Sequence, residues 1–148
     1  MDSPNPLFAL YIFLYQAVLL LGNVYVLVPF LALVAIMVGA SMRLGNYPKN
    51  KLLRLLIYPA LWSFIGLWGG AFWLNVQPTV PTIKNPSWVL YPVGVALFLS
   101  LILMPVFTWY LRGNTPAQIF ALTFATINIY LTCIVAFMAG MAITGDWL

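Results

Sequence analysis

The sequence predicts an all-α fold: a polytopic transmembrane helix bundle with four or five spans. Three observations carry this. The chain of 148 residues is 64% hydrophobic and only 5% charged, with a mean hydropathy of +1.03. A soluble domain carries about 25% charged residues, so water cannot be the solvent for most of this surface. The apolar runs are also continuous, and long enough for a hydrocarbon core that takes roughly 20 helical residues to cross. They do not alternate apolar with polar residues as barrel strands do. Backbone groups in lipid must therefore be paired within helices.

Four proline signals punctuate the chain: Asn5-Pro6, Tyr47-Pro48, Asn85-Pro86 and Thr115-Pro116. Each precedes an apolar run. Proline suits the first turn of a helix, where its missing N–H would have no partner anyway.

The first apolar stretch, residues 7–42, contains no charge. As a single helix it would be about 54 Å long at about 1.5 Å per residue. A typical tilt of about 20° accommodates that poorly. Gly22-Asn23 is the best turn signal inside it, because glycine suits the left-handed position that ends helices. Helices over 6–21 and 24–42, paired as a hairpin with Pro29 kinking the second arm, give five spans and are the favoured arrangement. One long kinked helix, giving four spans, is the alternative.

The later helices are expected over residues 50–74, 87–111 and 116–143, all in one domain covering residues 1–148. The last has the sharpest start. Thr115-Pro116-Ala117-Gln118 fits a capping box, with Thr115 as the cap and Gln118 reaching back to it.

Charge gives the orientation. Arg43, Lys49, Lys51, Arg54 and Arg112 fall on one side of the spans, and Lys84 falls on the other. The positive-inside rule makes the first side cytoplasmic. The N-terminus is then inside with five spans and outside with four. Tyr47, Tyr58, Trp109 and Tyr110 mark the inner boundary; Trp73, Trp88, Tyr91 and Trp147 mark the outer one. Residues 1–6 lack the basic region of a secretory signal, so the first apolar segment is expected to stay in the protein. The net charge of +4 comes from a few interhelical residues. Nucleic acid is therefore not an expected partner, while membrane lipids and other membrane subunits are. A bacterial inner membrane or an organelle inner membrane is the expected location.

The residues that usually carry chemistry are scarce. The chain has no histidine, one cysteine (Cys133) and no carboxylate within a span. The commonest metal ligand is therefore missing. So are a general acid–base pair and the intramembrane acid of a proton relay. Neither enzymatic activity nor an intrinsic cofactor or metal is expected. A lipid, quinone or pigment could lie along Trp62, Phe64, Trp68, Phe72 and Trp73, although filling of the fold is the plainer reading.

Two small-residue patterns stand out. Ala121, Ala125, Asn128, Thr132, Ala136 and Ala139 recur at spacings of three and four on the last helix. Gly66 and Gly70 form a GxxxG on an earlier one. Small residues allow close helix approach in lipid, and Asn or Thr can bond across helices. These eight residues are the candidate helix-packing or subunit-docking site. The expected function is a non-catalytic accessory subunit of a larger membrane complex, such as an energy-transducing respiratory or photosynthetic one. The alternative is a small homo-oligomeric transporter or channel with its path along Asn128 and Thr132.

Overall fold

The computed structural model describes residues 6–72 and 85–144. They form five helices: α1 (Pro6–Leu20), α2 (Val24–Met42), α3 (Lys49–Gly70), α4 (Ser87–Tyr110) and α5 (Thr115–Thr144). The four from α2 to α5 are long and apolar enough to cross a membrane, and α1 is shorter. The chain is thus an all-α integral membrane bundle with element bounds close to those expected. Trp73, Lys84, Asp146 and Trp147 lie outside the described residues.

Local sequence explains the irregular turns. In α3 a 3-10 turn at Arg54–Leu56 precedes Pro59. Proline cannot donate to the carbonyl four residues back and its ring crowds that carbonyl, so the tighter turn relieves both problems. Before α5 the cap differs from expectation. Asn114, not Thr115, caps the helix: its Oδ1 accepts from the Ala117 N–H at 2.9 Å. Gln118 does not reach back; its Nε2 donates to the Thr108 carbonyl on α4 at 3.0 Å. Asparagine is the stronger cap, and Pro116 still falls among the first residues, whose N–H groups lack helical partners.

The last helix is the hub, because α1, α2, α3 and α4 all pack on it. Helices α3 and α5 run in parallel. Tyr58 meets Phe124, Trp62 meets Asn128, and Gly69 meets Ala139, in the same order along both helices. Helix α4 runs the opposite way. Phe107 sits by Tyr58, and Val89 sits by Trp68. Two apolar clusters result. One contains Leu55, Tyr58, Phe107, Leu111, Ala117, Ala121 and Ala125. It lies toward the end that carries Arg43, Lys49, Lys51, Arg54 and Arg112, hereafter the basic end. The other lies toward the far end and includes Ala9, Phe13, Ile65, Val93, Val135, Ala139 and Ile143.

The favoured hairpin of α1 and α2 is not what the packing shows. The two helices do not lie side by side. Leu10 is at the level of Gly66 and Val135, in the far half. Further along α1, the Ala17 carbonyl is 3.5 Å from the Tyr130 hydroxyl, midway along α5. Helix α2 continues in the same direction. The Phe30 ring lies 6.2 Å from that of Tyr130, and Ile36, Gly39 and Ala40 flank Thr115 and Ile119 at the basic end. Residues 6–42 therefore traverse the bundle once, as a broken helix.

The reason lies at Gly22. Among the described residues only Gly45 (φ 52°) and Gly113 (φ 97°) take positive φ, and both sit in true reversals. Gly22 does not. Instead the N–H groups of Leu21, Gly22 and Asn23 donate to the carbonyls three residues back, tightening the end of α1. Asn23 is then extended (φ −83°, ψ 123°) and caps α2, its Oδ1 accepting from the Tyr25 N–H at 2.9 Å. One extended residue displaces the helix axis without reversing it.

Candidate functional site

The candidate site is the face of α5 carrying its small and polar residues. All six of its predicted members are buried inside the chain. Ala121, Ala125, Thr132 and Ala139 are almost fully enclosed, and Asn128 and Ala136 are only slightly less so. Gly66 and Gly70 on α3 are buried as well. The eight residues thus come together at the α3–α5 seam and its continuation toward α4 and α1.

The tightest approach falls one residue from the predicted pair. A Cβ at Gly69 would collide with Ala139, lying 2.6 Å from its Cα. At Gly66 a Cβ would meet the Leu10 side chain and, at 3.3 Å, Val135 Cγ1. The GxxxG spacing identifies the right helix, but Gly69 makes the backbone contact with α5.

Asn128 has a defined role. Its Oδ1 accepts from Trp62 Nε1 at 3.1 Å, across from α3. Its Nδ2 donates to the Phe124 carbonyl at 2.9 Å, and its own carbonyl accepts from Thr132 Oγ1 at 2.7 Å. Each buried polar group must be paired because hydrocarbon offers no substitute partner. Here the amide oxygen takes an indole N–H that the facing helix presents. Trp68 repeats the device, its Nε1 donating to the Val89 carbonyl on α4 at 3.0 Å. Two of the three tryptophans of the aromatic stripe are therefore cross-helix ties, a role the sequence pattern alone did not disclose. Trp73 lies outside the described residues.

Other buried hydroxyls are satisfied locally. Ser100 donates to the Leu97 carbonyl and Thr123 to the Ile119 carbonyl. Among the described residues the exception is Tyr58, fully buried with no partner for its hydroxyl. Its ring packs against Phe107 and Phe124, at 6.0 and 6.5 Å between centroids. Cys133 faces outward rather than filling the core.

Outside this seam the surface has two notable features. The first is the break between α1 and α2. Gly22, Asn23 and Val24 are exposed there, and Tyr25 is 90% exposed. The carbonyls of Leu21 and Gly22 accept no hydrogen bond from any described residue. The second is α2 itself, which packs on the hub helix with Phe30 beside Tyr130 and Ala40 beside Thr115; Val26, Leu33 and Met37, on the same face, are half-buried. Roughly opposite, Tyr25, Val28, Ala32, Ala35, Gly39 and Met42 recur at alternating spacings of three and four, all exposed. A Cβ at Gly39 would meet nothing within 4 Å.

Among the described residues no group of histidine, cysteine or acidic side chains could hold a metal ion. No protein-family model, curated protein or solved structure matches the chain.

Proposed function

We propose that the chain is a non-catalytic accessory subunit of a larger integral membrane complex. The observation carrying this reading is the uncovered break between α1 and α2. It lies near the middle of the bundle's height, between residues that both meet Tyr130. At that depth the surrounding solvent is hydrocarbon. Non-helical backbone at membrane depth is tolerated where other protein or a water-filled cavity covers it. Each carbonyl left without a partner in an apolar medium costs about 1–3 kcal/mol by protein mutational scales. Two such groups, with the exposed Asn23 amide, are a large charge against a stability of order 5–15 kcal/mol. A neighbouring subunit that covers the break and donates to it removes that cost.

The exposed stripe on α2 supports the same reading. Lipid-facing helix surfaces gain nothing from small residues, whereas helix–helix interfaces in membranes are enriched in them. The spacing of Ala32, Ala35 and Gly39 suits a partner helix crossing at about 20°.

The alternative, a homo-oligomeric transporter or channel, must find another path. Asn128 and Thr132 are buried between helices of one chain and hydrogen-bonded there. Solubilisation in mild detergent followed by size and mass analysis separates the readings. Unrelated larger subunits in fixed ratio are the expected result. A homogeneous self-oligomer that moves solute in liposomes would overturn it.

A further inference from the structure

At the basic end, α4 and α5 border an apolar groove of about 510 Å³ lined by Met104, Pro105, Thr108, Trp109, Arg112, Gln118 and Leu122. Its two neutral polar members are already engaged with backbone. Thr108 Oγ1 donates to the Met104 carbonyl at 2.8 Å, and Gln118 Nε2 to the Thr108 carbonyl at 3.0 Å. The wall is therefore hydrocarbon from Met104 to the mouth. That is about 12 Å along the helix at about 1.5 Å per residue, against a half-bilayer of about 15 Å.

The mouth is different. Arg112 is exposed there, and its guanidinium makes no hydrogen bond or ion pair with any described residue. Trp109, 71% exposed, stands beside it at the level where indoles anchor to headgroups. Arg54, held 4.9 Å over the Tyr110 ring, adds a second cation at the same end of α4. The chain has only two acids, Asp2 and Asp146, so no acidic side chain lies within the described residues. A groove along Leu61, Phe64, Trp88, Tyr91 and Val95 is similar in size, but no cation among the described residues lines it.

We propose that the α4–α5 groove binds an anionic phospholipid, with the phosphate on Arg112 and one acyl chain along Met104, Pro105 and Leu122. The warrant is charge complementarity joined to shape. A planar guanidinium matches phosphate oxygens bidentately. A basic pocket between membrane helices on the cytoplasmic side is where anionic headgroups are held. A zwitterionic lipid offers the same phosphate, but its own ammonium competes for it.

The test is native mass spectrometry of the detergent-purified protein titrated with phosphatidylglycerol or phosphatidylcholine of identical chains. Wild type is expected to retain phosphatidylglycerol about tenfold better. Arg112→Gln should abolish most of that preference, and Lys51→Gln should leave it. Leu122→Trp fills the groove without changing charge and should weaken phosphatidylglycerol binding several-fold. Soluble glycerol phosphate should not compete. The proposal fails if Arg112→Gln keeps the preference, if Lys51→Gln removes it equally, if Leu122→Trp binds as wild type, or if glycerol phosphate displaces the lipid.

Discussion

Gly69→Ala isolates a close backbone contact between α3 and α5. The new methyl would sit 2.6 Å from the Ala139 Cα, whereas carbon atoms rest at about 3.5–4.0 Å. Helices α3 and α5 must therefore part by about 1 Å locally. Overpacking of this kind costs about 1–3 kcal/mol. The obstacle here is backbone rather than a flexible side chain, so the upper end applies. Alanine returns about 1 kcal/mol of helix propensity relative to glycine, leaving a net loss of about 2 kcal/mol. For a chain of this size that lowers the melting temperature by about 4–8 °C. The assay is thermal unfolding of the purified protein in one fixed detergent. Ala139→Gly in the Gly69→Ala background should restore much of the loss, giving a coupling of about 1 kcal/mol or more. Gly94→Ala on α4 is the control: its Cβ meets nothing within 4 Å, so it should be neutral or slightly stabilising. If Gly69→Ala melts at or above wild type, or Gly94→Ala falls as far, the close packing of Gly69 on Ala139 is refuted.

Three further outcomes follow from the hydrogen bonds, all read by the same melts. Trp62→Phe removes the donor to Asn128 Oδ1, and should cost about 1 kcal/mol, within the range for one bond lost in a membrane interior. Tyr58→Phe deletes a buried hydroxyl that has no partner among the described residues. It should be neutral or stabilise by about 1 kcal/mol, and a clear loss would mean that the hydroxyl has a partner. Asn114→Ala should cost about 1 kcal/mol through the lost cap on α5, and Thr115→Ala distinctly less. The reverse order would restore Thr115 as the cap.

Much of this fold was legible in the sequence, because proline and glycine punctuation is local. Pro48, Pro86 and Pro116 each stand at the start of a helix, and the apolar runs that follow them set the lengths of the three later helices. The direction of α1 relative to α2 was not legible. Gly22-Asn23 reads the same whether the chain reverses or merely shifts, since glycine permits either sign of φ. What decides it is packing of Phe13 in the far cluster and Ala40 at the basic end, contacts remote in sequence. The cap of α5 was misplaced by one residue because Asn114 and Thr115 are both good caps, and Gln118 found a longer-range carbonyl. Asn128 stood out as a polar residue on an apolar face, but its partner Trp62 is 66 residues away. A buried amide oxygen requires a donor, so the indoles of α3 were the signal that could have found it. Gly69 was missed for a simpler reason. In a Gly-Gly pair, a rotation of 100° decides which member touches the neighbour.

We infer from this packing that residues 6–42 cross the bilayer once, as a broken helix with an exposed middle. Single cysteines at positions 3 and 46, in a Cys133→Ser background, test this most directly with a membrane-impermeant thiol reagent on intact and permeabilised cells. The single crossing predicts that the two positions label from opposite sides of the membrane. Labelling of both from the same side would restore the hairpin and remove the exposed break on which the proposed function rests.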